Sequence, residues 1–164
     1  MDIHEAFKLV LSTPKQWADK LLEDISEEDS MVRGKDGLNH IRWLAGHLCY
    51  TSRIIASGLG NAPAFDEEER YKALFDWQTR PSSDARSYPS LEEIMNNYST
   101  FHQAGLDAID KLSDADMEKE IQITDDWKEK TEDFVIRFAQ HQAYHVGQIA
   151  VVRSKVLGRK GLFD

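Results

Sequence analysis

Cysteine is nearly missing from this sequence. A single thiol, Cys49, stands among 164 residues; it leaves no intrachain disulfide and fits a reducing cytoplasm. Positive charge is also scarce, with 20 Lys and Arg against 29 Asp and Glu and a net charge of −9. No basic cluster offsets that deficit, which argues against nucleic acid and against anionic membranes as partners. No apolar run reaches the length that spans a bilayer, and MDIHEAFKLV has acidic residues where a signal peptide wants lysines. Internal repeats and low-complexity tracts are absent, and strand signal is slight. What remains is the profile of one soluble cytoplasmic domain over residues 1–164. It is 41% hydrophobic and long enough to bury about two-thirds of its unfolded surface.

Helical spacing accounts for most of what is present. Residues 3–25 carry Ile3, Phe7, Val10, Leu11, Trp17 and Leu21 at roughly helical intervals, and Pro14 is expected to break that run or open a second segment. SEEDSMVRGKDG, residues 26–37, reads as a polar connection, and the acidic runs Glu23–Asp29 and Glu67–Glu69 as solvated surface. A second helix is predicted from about Leu38 to Ser57, ending at Gly58 or Gly60, with His40, Trp43, Leu44, His47, Thr51, Ile54 and Ile55 on one broad face. Residues 58–89 hold three of the four prolines and one candidate short helix, EEERYKALFDW. Ser90 and Glu93 form a capping-box pattern at the start of a third helix that runs to about Leu112. Residues 113–127 lack a period, and EIQIT suggests an extended link or a lone strand. The last helix is predicted from Thr131, as N-cap, to Gly158, followed by a short loose tail. Four long amphipathic segments with a long connection in the middle make an all-α four-helix bundle.

The last helix carries the chemistry. Phe134, Phe138, His141, His145, Gln148, Ile149, Val152 and Val156 fall on one face, so two histidines and a glutamine interrupt an apolar stripe. His141 and His145, four apart, stack one turn above the other and can converge on one point. His47 sits mid-stripe on the second helix in the same manner. Three imidazoles with an open fourth position suit zinc, and imidazole also serves nickel and iron. Without a metal, three buried imidazoles would each need hydrogen-bond partners, at roughly 1–3 kcal/mol for every nitrogen left unpaired. Spacing alone leaves both readings open. No H-E-x-x-H is present, because Gln142, Ala143 and Tyr144 separate the two histidines.

Other residues take lesser roles. His40 lies two turns from His47, about 10 Å along the axis, and reads as a pocket or helix-end residue. Gln148 is a candidate for fixing an imidazole tautomer or a bound water, or equally for helix packing; Gly147 suits a close backbone approach, and Tyr144, at the edge of the stripe, reads as a packing or pocket residue. His4 and His102 have no partner in the sequence and read as surface or packing residues. Cys49, two residues from His47, points away from that face and reads as a buried structural thiol.

The element NHIRWLAGHL at 39–48 and the string HQAYHVGQI at 141–149 resemble the paired motifs of the DinB/YfiT-like superfamily, and the likeness extends over the whole chain in helix order. The resemblance implies an up-up-down-down four-helix bundle, commonly a homodimer, with a divalent metal held by His47, His141 and His145. It also implies chemistry: superfamily members include thiol S-transferases and isomerases that use a low-molecular-weight thiol, and some hydrolases. A non-catalytic, stress-related metal-binding bundle is the alternative, and a fourth ligand from Asp66–Glu69 would favour it.

Overall fold

Four long helices dominate the computed structural model, which describes residues 2–35 and 37–162. In chain order the elements are α1 (Ile3–Leu22), α2 (Ile41–Gly58), α3 (Glu68–Phe75), α4 (Leu91–Ile109), α5 (Asp114–Met117), β1 (Glu120–Thr124), β2 (Trp127–Lys130) and α6 (Thr131–Lys155). Among the described residues no helix is long and apolar enough to cross a membrane.

The helix starts follow local chemistry. Asp2 and Glu5 close a reciprocal capping box at α1, and the Ser90 hydroxyl accepts the Glu93 amide at α4. The break expected at Pro14 does not occur. The helix runs through it, because Phe7, Leu11, Ala18, Leu21 and Leu22 on either side are buried, a gain that exceeds the roughly 3 kcal/mol that an internal proline costs. The buried stripe is narrower than the spacing implied: Ile3, Val10 and Trp17 face outward. Thr131 is not an N-cap. It is the first helical residue, and its hydroxyl and amide both bond to the Lys119 carbonyl. Residues 113–127, expected to hold at most one strand, contain α5 and begin an antiparallel hairpin that pairs Ile121 with Glu129.

The contacts between helices set their relative sense. His4 and Lys8 reach Leu112 and Asp110, whereas Lys15 lies over Tyr98, so α1 and α4 are antiparallel. Ser52 meets Gln142 and Gly58 meets Phe134, so α2 and α6 are antiparallel too. Arg42 is joined through Glu27 to Leu91, and Arg53 lies over Phe101, which makes α2 and α4 parallel. The order is therefore up, down, down, up, and not the up-up-down-down that the resemblance implied. The reason lies in the connections. Residues 23–40 turn the chain back at one end, and residues 59–90 carry it the full length of α2 before α4 begins.

Acids read as solvated surface in fact tie this end together. Glu27 pairs with Arg42 and accepts the Leu91 amide at the start of α4, an anion at a helix N-terminus. Asp24 and Asp29 hold Arg153 and Arg159. The segment after Gly158, expected to be loose, is thereby anchored through residue 162, where Leu162 packs on the core. The rest of that tail, 163–164, lies outside the described residues.

Candidate metal centre

The three histidines of the two core stripes meet between α2 and α6. His47 Nε2 lies 3.3 Å from His141 Nε2, which lies 3.1 Å from His145 Nε2. The possible ligand atoms of all three fall within 4.8 Å of one another, a group that could hold a metal ion. Four-coordinate zinc with Zn–N bonds of about 2.0–2.1 Å sets its ligand nitrogens roughly 3.3–3.4 Å apart. The spacing is close to that.

The outer nitrogens explain why the inner ones converge. His47 Nδ1 sits 2.6 Å from the Phe75 carbonyl, and His145 Nδ1 sits 2.8 Å from Gln148 Oε1. A carbonyl oxygen only accepts, so each Nδ1 carries the ring proton and each Nε2 presents a lone pair inward. Nothing bonds His141 Nδ1, which is buried without a partner. Burial pushes His47 down to about 3 and His141 to about 4, each lowered further by neighbouring imidazoles, and burial also lowers His145. All three are therefore neutral near pH 7, the form in which imidazole binds a metal.

Two further features hold His47. Trp43 stacks on its ring, with centroids 5.0 Å apart and planes 7° from parallel. Phe75 comes close enough to offer its carbonyl because residue 46 is glycine: a Cβ there would lie 2.1 Å from the Phe75 ring. Gly46 thus lets α3 press on α2 beside the site. Gly147 has no such task, since nothing lies within 4 Å of a Cβ at that position.

The remaining candidates fall around the site. Gln148 touches His145 and also donates through Nε2 to the Tyr144 hydroxyl, 3.1 Å away. Tyr144 is otherwise exposed, at 64%. His40 belongs to the helix end: its Nδ1 accepts the Trp43 amide as the N-cap of α2, and its Nε2 bonds to the Ser82 carbonyl. Cys49 is buried, which raises its thiol pKa far above the ordinary range. The acids at 66–69 do not supply a fourth ligand. Glu67 pairs with Arg70 and Glu68 with Arg53, and the metal-capable group among the described residues comprises the three histidines alone.

A cavity of about 630 Å³ opens from His47 and His141 to the surface. Its walls come from α2 (Tyr50, Thr51, Ile54), α3 and the residues after it (Lys72, Asp76, Trp77), the hairpin (Ile123 to Asp125, Trp127) and α6 (Arg137, Phe138). The sequence pattern reads Trp43, Tyr50, Phe134 and Phe138 as chiefly core, with those nearest the histidines open to a pocket; of these Tyr50 and Phe138 line it, and the charged wall was missed. Arg137 was within reach of it, because it stands four residues before His141 just as His141 stands four before His145. Gln142 was missed as well; it is fully buried and donates to the Ser52 hydroxyl at 2.7 Å.

A family model described as the DinB superfamily matches residues 15–149. The chain belongs to the DinB superfamily. Two solved structures share its fold. A conserved protein from Enterococcus faecalis superposes with a TM-score of 0.77 at 13% identity, over 97% of this chain and 99% of its own. A DinB-like protein from Bacillus cereus ATCC 10987 gives 0.67 at 18% identity, over 93% of this chain and 91% of its own. At such identities the likeness extends to the fold alone. No curated protein matches the chain.

Proposed function

We propose that this DinB-superfamily protein is a divalent-metal-dependent enzyme of the thiol S-transferase or hydrolase type, with His47, His141 and His145 as the protein ligands of the metal. One observation carries the reading: three Nε2 atoms converge at the floor of an open cavity while two of the Nδ1 protons are held outward by Phe75 and Gln148. Hydrogen bonding accounts for the arrangement only in part: His141, whose Nδ1 has no partner, can donate from Nε2 to a neighbour, but that is one proton among three converging nitrogens. Zinc or nickel suits the donor set best, with iron as a third choice. Such an ion, when bound, supplies a Lewis acid that lowers the pKa of a coordinated water or thiol. The chain's own part is to keep the imidazoles neutral and oriented, and to wall a space for a small substrate beside them.

The same reading takes residues 1–164 as one domain built as a four-helix bundle. It works as a homodimer in the cytoplasm and uses a low-molecular-weight thiol. The competing reading is a non-catalytic, stress-related bundle with a structural metal. A structural zinc takes four protein ligands, and here the cavity reaches two of three. Cobalt-substituted protein separates the two readings. Adding 2-mercaptoethanol should produce a thiolate-to-cobalt absorption band in the near ultraviolet and shift the visible bands. A cobalt spectrum indifferent to thiol and to azide would contradict the open site and support the structural role.

A further inference from the structure

The cavity carries two cations whose hydrogen-bonding capacity is unspent. Arg137 is held by its Nε, 2.5 Å from Glu129 Oε1, while its Nη1 and Nη2 have no hydrogen bond among the described residues. Glu129 is in turn fixed by the Trp127 indole, which donates to it at 3.1 Å. The guanidinium is therefore braced from behind with its fork open. The Lys72 ammonium on α3, which lines the same cavity, has no ion pair and no hydrogen bond among the described residues, whereas Arg70 on the same helix pairs with Glu67. Two indoles complete the rim: Trp77 is 68% exposed and Trp127 37% exposed, a large apolar area to leave in water.

We propose that this rim is a seat for a small organic monocarboxylate with an aromatic or apolar body. The carboxylate lies on the fork of Arg137 and on Lys72, the body lies against Trp77 and Trp127, and the far end points to the histidines. A planar guanidinium with two free donors matches a carboxylate bidentately. Charge favours one negative group over two. Among the lining residues Arg137 and Lys72 balance Asp76 and Asp125, and Glu129, behind Arg137 and outside the lining, adds one negative charge; a divalent ion at the histidines would bring the sum to one positive charge. A monoanion neutralises the site, whereas a phosphate dianion overcharges it. The volume is that of ordinary small-molecule sites. This inference deepens the metal-enzyme reading and rests on it for the charge balance and the direction of the ligand.

The test uses 3-phenylpropionate and its uncharged amide, followed by NMR of the indole N–H signals in zinc-loaded and in metal-free protein. Parent protein should bind the acid at least tenfold more tightly than the amide. Arg137→Gln and Lys72→Gln should each remove most of that preference, and both side chains are exposed enough for folding to survive. Equal binding of acid and amide, no saturable binding of either up to millimolar concentration, or an unchanged preference in both variants would overturn the seat. Zinc content is measured on the same samples. A preference for the acid in a protein that takes up no metal would sink the metal reading and leave the Arg137 seat standing. Stoichiometric zinc without a preference would do the reverse.

Discussion

Gly46 is the residue on which the orientation of His47 turns. A methyl group there would overlap the Phe75 ring, and relieving the clash means moving α3, whose carbonyl fixes the His47 tautomer. Overpacking of this kind costs about 1–3 kcal/mol, and the loss of an orienting partner behind a metal-binding histidine costs roughly 10–100-fold in affinity. Gly46→Ala should therefore weaken zinc binding by that factor in competition with a chromophoric chelator. Gly58→Ala, which meets the Phe134 ring away from the histidines, should lose stability without that loss of affinity. Equal zinc affinity in the two variants would show that Phe75 does not orient His47. At this scale the histidines were legible because polar residues on an apolar stripe stand out. Gly46 was not, because its partner is 29 positions away in a segment without a period.

At the scale of elements, the start of α2 joins stability to pH. His40 caps the helix by accepting an amide at Nδ1, which requires the neutral ring. Burial pushes its pKa down to about 4, and that of His102 on α4 also to about 4. The unfolded chain takes up these protons near the ordinary value of about 6.5. Between pH 6.5 and 4 the unfolded state therefore binds more protons than the folded one, and stability falls as pH falls. Thermal melts of metal-free protein should show full stability above pH 6.5 and a progressive loss down to about pH 4. In His40→Asn, which keeps a capping side chain but cannot titrate in this range, the loss should be smaller. A parent melting temperature flat across that window would contradict the assignment of buried neutral histidines. The capping chemistry of α4 was legible at Ser90 and Glu93. The cap of α2 was not, because histidine is an uncommon capping residue, and neither was the hairpin, whose second strand WKEK offers no alternation.

For the molecule as a whole, periodicity sufficed to find four long helices, since each buries one face and leaves the other in water. It could not order them. Whether α2 runs parallel to α4 depends on where the connections lead, and these are held by pairs such as Arg42 with Glu27 and Arg153 with Asp24, in which neither partner is distinctive in sequence. The same limit explains the cavity: its floor belongs to the helices and was legible, whereas its rim comes from α3 and the hairpin. The interior has two apolar clusters, one containing Leu44, Leu48 and Ile149 and the other Phe7, Phe134 and Phe138. On α2, Thr51, Ser52 and Arg53 separate the residues of one cluster from those of the other; on α6, His141 and Gln142 do the same. On α6 the two histidines lie between the clusters, whereas on α2 His47 lies within the span of the first cluster, one turn before the break at Thr51.

The central claim is that three convergent imidazoles hold one divalent ion, and elemental analysis of protein purified without a histidine tag tests it most directly. The comparison is a variant carrying His141→Ala and His145→Ala, with circular dichroism to establish that it remains helical. The account predicts about one equivalent of zinc, nickel or iron per chain in the parent, and almost none in the folded variant. A parent that holds no metal after incubation with each ion, or a variant that holds as much as the parent, would contradict it.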